Sequence, residues 1–244
     1  MRFVLLFFLL AFSGLSFADE ARVAVAANFT ATARELVNQF EQDTSHSIKL
    51  SFASSGKIYA QIVHGAPFHL FLSADQEKPQ RLIDKGFGIA ETRFTYATGV
   101  LVLVSNSAIA GKPFDLLQAK RFNKLALANA KLAPYGVAAQ QALTALNLLE
   151  VTRDRWVQGE NVLQVYQFVS TGNAELGLVA KSQVVSDSAN QAGSFWIVPQ
   201  ELYHPIYQDG VLLKKGRSNR AAQAFMAFLQ QGVARDIIAA HGYQ

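Results

Sequence analysis

Near the start of the chain, apolar strand-like runs twice end in a small polar turn that opens a helical pattern. The turns are Ala26-Ala27-Asn28-Phe29-Thr30 and Ala53-Ser54-Ser55-Gly56-Lys57. This grammar predicts parallel strands joined by crossover helices, because a parallel pair cannot be closed by a tight hairpin. It also has a chemical consequence. The first backbone N–H groups of a helix have no partner inside it, and the helix dipole adds about half a positive charge there. Two such turns on neighbouring strands would form an anion pocket built from neutral donors.

The same alternation continues along the chain. Ala33, Leu36, Val37 and Phe40 share one helical face, and residues 48–52 alternate apolar with polar side chains as a strand does. A short helix over 57–64 closes at Gly65 and Pro67, and residues 68–72 form a third strand. Ser73-Ala74-Asp75 can cap the helix that follows, which stops at Gly86. Apolar strands are expected at 100–104, 125–128, 176–180 and 195–198, with helices over 137–149 and from Val162 to Gly172. Val211-Leu212-Leu213 reads as a strand before two C-terminal helices. Two α/β lobes of about 100 residues each fit this order. Residues 19–96 plus 207–244 are expected in lobe 1 and 97–206 in lobe 2, with two crossings between them. Ligands of open α/β sheets sit beyond the carboxyl ends of the strands, which puts Asn28, Ser55, Tyr135 and Asn161 on the rim.

The N-terminus reads as an export leader over 1–18. Arg2 is followed by an apolar stretch at 3–12 and by Ser16-Phe17-Ala18, with small residues where a signal peptidase cuts. That stretch is shorter than the roughly 20 residues needed to span a bilayer. The chain has no cysteine, so it has neither disulfides nor the thiol a lipoprotein anchor requires. The expectation is a soluble periplasmic protein. Net charge is +4 with no basic run longer than Lys214-Lys215, which argues against a nucleic-acid groove or a polybasic membrane patch.

Other chemistries find little support. The histidines at 46, 64, 69, 204 and 241 show no metal-ligand spacing, so no site for a free metal cation is expected. No carboxylate pair stands out for acid–base work. Ser54-Ser55-Gly56-Lys57 matches the S-x-x-K motif of acylating serine enzymes. The partner Lys-Thr-Gly is missing, and Ser186-Asp187-Ser188 stands where Ser-Asp-Asn would be expected. A serine acyl-enzyme on Ser54 and Lys57 is therefore the remote alternative, and no catalytic residue is expected.

The chain resembles the periplasmic molybdate-binding proteins of ABC transporters. The resemblance rests on Val23-Ala24-Val25-Ala26-Ala27-Asn28-Phe29, Phe52-Ala53-Ser54-Ser55-Gly56 and, above all, the block from Gly65-Ala66-Pro67 to Ser73-Ala74-Asp75. It extends through Ala133-Pro134-Tyr135-Gly136, Glu160-Asn161-Val162 and Leu176-Gly177-Leu178-Val179. It implies a two-lobed type II periplasmic binding fold, each lobe a mostly parallel sheet flanked by helices, with two crossover strands at the hinge. The implied ligand is molybdate or tungstate, with no cofactor, an inner-membrane permease as partner, and a monomeric state. Matched residue by residue, the implied contacts are Asn28, Ser55, the backbone amides of Tyr135 and Val162, and Ala27 beside Asn28. Asn28 resembles a subgroup with Asn rather than Ser in the first turn. Ala180 stands where the best-known branch has a tyrosine hydroxyl, and Asn28 with the Tyr135 turn is expected to compensate. Sulfate or another tetrahedral oxyanion is the alternative ligand.

Overall fold

A computed structural model of the chain describes residues 19–106, 111–187 and 193–244. The leader expected over 1–18, and Ser188 of the Ser186-Asp187-Ser188 stretch, lie outside the described residues. β1 (Glu20–Ala26) ends in a 3-10 turn, Ala27–Phe29, that runs into α1 (Thr30–Asp43). β2 (Ser47–Ala53) turns into α2 (Ser55–Val63), and β3 (Leu70–Leu72) leads to α3 (Glu77–Asp84). After β4 (Phe94–Gly99) come β5 (Leu101–Ser105), α4 (Pro113–Gln118), β6 (Leu125–Ala128), α5 (Pro134–Ala145) and α6 (Leu149–Thr152). β7 (Trp156–Gly159), α7 (Val162–Ser170), β8 (Leu176–Ala180), α8 (Lys181–Val185) and β9 (Phe195–Ile197) follow. β10 (Ile206–Leu212), α9 (Arg220–Phe228) and α10 (Gly232–Ala240) complete the order.

The strands form two five-stranded sheets, β2-β1-β3-β10-β4 and β7-β6-β8-β5-β9. In the first, β1 pairs in parallel with β2 and β3, while β10 runs antiparallel to both β3 and β4. Four strands therefore point one way and β10 runs back. The second sheet repeats this pattern, with β5 as the reversed strand between β8 and β9. The mostly parallel, two-lobed α/β architecture holds. In sheet terms the chain passes from one lobe to the other at Val100, after β4, and returns before Ile206, at the start of β10.

Alternation within β1 explains how the first sheet is covered on both faces. Val23 and Val25 join a core with Leu36, Phe40 and Phe225, contributed by α1 and α9. Ala24, between them, faces the other side with Ile58, Phe71 and Leu82. Phe40 lies edge-on to Phe225 at 5.2 Å and tilted against Phe228 at 5.6 Å. The predicted face of α1 is buried as read: Ala33 and Leu36 are fully covered, and Phe40 nearly so. The second lobe has its own core of Leu101–Val104, Leu125–Ala128 and the inward faces of α5 and α7.

Two sequence-based boundaries shift in a way that matters for the site. The helix expected from residue 137 starts at Pro134, because a proline in the first turn gives up only an N–H that would have had no helical partner. The strand expected at 211–213 begins at Ile206. Its first half carries Gln208 and Asp209, which are buried at 0% and 2% exposure because side chains satisfy them. Hydrophobic patterning does not register a buried polar strand.

Candidate anion-binding site

Four helical N-termini meet between the lobes. The first lobe supplies the 3-10 turn at Ala27–Phe29 and the start of α2, and the second supplies the starts of α5 and α7. Each is aimed by local chemistry. Ser54 caps α2 by accepting the Lys57 N–H at 3.4 Å, Asn161 caps α7 by accepting the Gln164 N–H at 3.1 Å, and Pro134 opens α5. These caps leave the N–H groups of Ser55, Tyr135 and Val162 in first turns, without helical partners. Among the described residues, no loop or cap hydrogen bond engages those amides or the amides of Ala27 and Asn28.

All five sequence-predicted residues, Ala27, Asn28, Ser55, Tyr135 and Val162, line one small cavity. The remaining wall is Ala26, Ser54, Ala74, Ala133, Pro134 and Asn161. No charged side chain is among them. As the lobes stand, its free volume is ≈ 10 Å³, on the order of one water. The lobes are closed over it. Gly56 N–H donates to the Leu132 carbonyl across the cleft at 2.9 Å, and Lys57 Nζ meets the Glu160 carboxylate at 3.1 Å at the mouth. A larger groove of ≈ 590 Å³ lies outside this seal. It is lined by charged side chains including Glu77, Lys78 and Arg81, and it receives none of the unpartnered first-turn amides.

The side chains divide into those that can face a guest and those that hold the wall. Ser55 Oγ accepts the backbone N–H of Ala74 at 3.0 Å, which leaves its own proton for the cavity. Asn28 behaves differently from expectation. Both hydrogens of its side-chain amide are committed, to Gln208 Oε1 at 2.9 Å and to the Tyr243 hydroxyl at 3.0 Å. Asn28 therefore offers the cavity its backbone N–H, and its side chain supplies no extra donor to make up for Ala180. The Tyr135 ring turns away from the cavity to the hinge, where Gln208 Nε2 donates to its hydroxyl at 3.4 Å. A Cβ on Gly99 would sit 2.2 Å from that hydroxyl, so only glycine fits there. Burial pushes the Tyr96, Tyr135 and Tyr243 hydroxyls far up, and they stay protonated as donors.

The network behind the cavity, built from Tyr96, Gln208, Tyr243 and Ser182, escapes sequence reading because its members are local in neither sequence nor pattern. Tyr243 is 215 positions from Asn28 and yet within hydrogen-bond reach. In the acylating alternative's motif, Ser54 Oγ accepts the Lys57 backbone N–H, while Lys57 Nζ pairs with Glu160. Among the described residues, no group of three or more His, Cys, Asp or Glu is placed to hold a metal ion. No described helix is long and apolar enough to cross a membrane.

The chain is similar to known proteins over most of its length. A molybdate-binding protein of Azotobacter vinelandii is 48% identical over 229 residues, covering 93% of this chain and 90% of the relative. A counterpart from Rhodobacter capsulatus is 41% identical over 226 residues, covering 93% and 88%. The solved structure of an Azotobacter vinelandii periplasmic molybdate-binding protein superposes with a TM-score of 0.87 at 37% identity, covering 92% of this chain and 98% of that one. The model of the bacterial extracellular solute-binding proteins matches residues 21–244, and the chain belongs to that family.

Proposed function

We propose that this protein captures molybdate, and tungstate with it, between its lobes in the periplasm and delivers it to an ABC permease in the inner membrane. The observation that carries this reading is the convergence of helical N-termini from both lobes on a single cavity with an uncharged lining. Ala27, Asn28 and Ser55 would bind from one lobe, and Tyr135 and Val162 from the other, through backbone N–H groups and the Ser55 hydroxyl. The names of the two relatives supply the ligand.

The donor set suits a fully deprotonated dianion. Oriented N–H and O–H dipoles in a site that excludes water stabilise charge without a counter-ion, because each hydrogen bond strengthens as the dielectric falls. Phosphate carries a proton at neutral pH and would need an acceptor for it, so a lining of donors disfavours it. Sulfate has no proton, so its rejection would have to come from size, through a cavity matched to the longer metal–oxygen bonds. Molybdate and tungstate are nearly equal in size and are taken alike. Cargo capture requires no resident cofactor and no reacting group, and a monomer suffices.

An oxyanion panel tests the reading. Thermal denaturation of the mature protein with molybdate, tungstate, sulfate or phosphate at equal concentration should show a rise in Tm for the first two only. A rise with sulfate that matches the rise with molybdate would reassign the cargo.

A further inference from the structure

The last residues of the chain reach both lobes. Gln244 exchanges two backbone hydrogen bonds with Thr98 of β4, at 2.7 and 3.0 Å. His241 lies between Glu35 Oε2 of α1, at 2.7 Å, and Ser186 Oγ of the second lobe, at 2.8 Å. Between them Tyr243 is buried, with its ring edge-on to Phe29 at 5.2 Å.

The Tyr243 hydroxyl sits in a ring of three hydrogen bonds. Asn28 Nδ2 donates to it at 3.0 Å, it donates to Ser182 Oγ at 3.0 Å, and Ser182 Oγ donates to the Asn28 carbonyl at 2.9 Å. The Asn28 carbonyl also lies 2.9 Å from the Tyr243 hydroxyl, so that proton has two acceptors, Ser182 Oγ and the Asn28 carbonyl, and the bonds of the cluster polarise one another. Asn28 belongs to the first lobe and its turn lines the cavity, whereas Ser182 belongs to α8 of the second. The ring therefore fastens a cavity wall to the opposite lobe by way of the chain's penultimate residue.

We propose that Tyr243 is a positioning residue for the anion site. Its hydroxyl fixes the Asn28 turn, whose backbone N–H faces the guest, and ties that turn to Ser182. The C-terminal tail thereby sets how long the closed, loaded state lasts. This rests on the reading of the cleft as an anion-capture site.

The test uses the full mature chain with molybdate as probe. Tyr243→Phe keeps the ring against Phe29 and removes only the hydroxyl. It should weaken binding about 3- to 10-fold, the range for one lost hydrogen bond, with the change in the dissociation rate and none in association. A purely structural role would lower the melting temperature of the ligand-free protein and leave the dissociation rate alone. Ser182→Ala, on the other lobe, should speed dissociation similarly, and the double variant should add little to the larger single effect. Dissociation at the unmodified rate in Tyr243→Phe, or fully additive effects in the double variant, would overturn the positioning role alone. Absence of molybdate binding by the unmodified chain would overturn the capture reading and this role with it.

Discussion

Ser55 Oγ accepts the backbone N–H of Ala74 at 3.0 Å, and both residues line the cavity. The contact uses one acceptor site of the hydroxyl on the protein and leaves its proton available to a guest in the cavity. Ser55→Ala removes that donor and leaves the Ala74 N–H without its partner. We expect molybdate affinity to fall by about one to two orders of magnitude, the worth of a hydrogen bond to a charged group at ~1.5–3 kcal/mol. Calorimetry on the variant checks this, and unchanged affinity would remove Ser55 from the site.

Gly56 lies at a close approach between the lobes. Its N–H meets the Leu132 carbonyl, and an added Cβ would lie 3.0 Å from both the Cα and the oxygen of Leu132. Gly56→Ala should act in opposite directions on two observables. Helix α2 gains up to about 0.5–1 kcal/mol from the better helix former, while the lobes close less well. The predicted outcome is a ligand-free melting temperature equal to or above that of the unmodified chain, with molybdate affinity reduced several-fold. Affinity and stability moving together would contradict the steric account.

Tyr135 offers the site its backbone, and its ring lies buried at the hinge. Tyr135→Phe loses a single long hydrogen bond to Gln208 and leaves the α5 N-terminus in place. Molybdate affinity should therefore stay within about 3-fold, consistent with a neutral hydrogen bond of ~0.5 kcal/mol at the low end. A loss of tenfold or more by equilibrium titration would mean that the hydroxyl contributes to holding the anion.

These cases show why the site was legible in sequence while its support was not. Small polar residues at strand ends mark the turns at Asn28, Ser55 and Asn161. The Val162 and Tyr135 amides come from the family resemblance, and the start of α5 at Pro134 is missed by patterning. The structure lines one cavity with all of these residues. The hinge strand β4 and the first half of β10 mix polar with apolar residues. Their polar members are buried by partners far away in sequence, such as Arg93 against Asp209, 116 positions apart. Asn28 was visible as a turn residue. The commitment of its amide to Gln208 and Tyr243 depends on a tertiary arrangement that no local pattern encodes.

His69 makes stability depend on pH. Partial burial, reinforced by the charge of Arg22, lowers its pKa below the usual 6.5, and its Nδ1 accepts the Arg22 N–H at 3.2 Å, which requires that nitrogen to be unprotonated. The unfolded chain thus takes up the proton first as the pH falls. The contribution of His69 is intact above pH 6.5 and is lost as the pH drops through 6.5 toward the lower folded value. Denaturant unfolding at steps between pH 7.5 and 5.5 should show this fall, and His69→Asn, which keeps an acceptor but does not titrate, should flatten it. An equally steep profile in the variant would exclude His69 as the source.

We propose that one proton-free tetrahedral dianion is held between the lobes by uncharged donors and chosen by size. Titration calorimetry of the mature protein with molybdate, followed by sulfate in a fresh cell, tests this most directly. Tight one-to-one binding of molybdate with no heat from sulfate is the predicted result. Binding of sulfate in preference to molybdate would contradict the selectivity, and no heat from either would contradict the site.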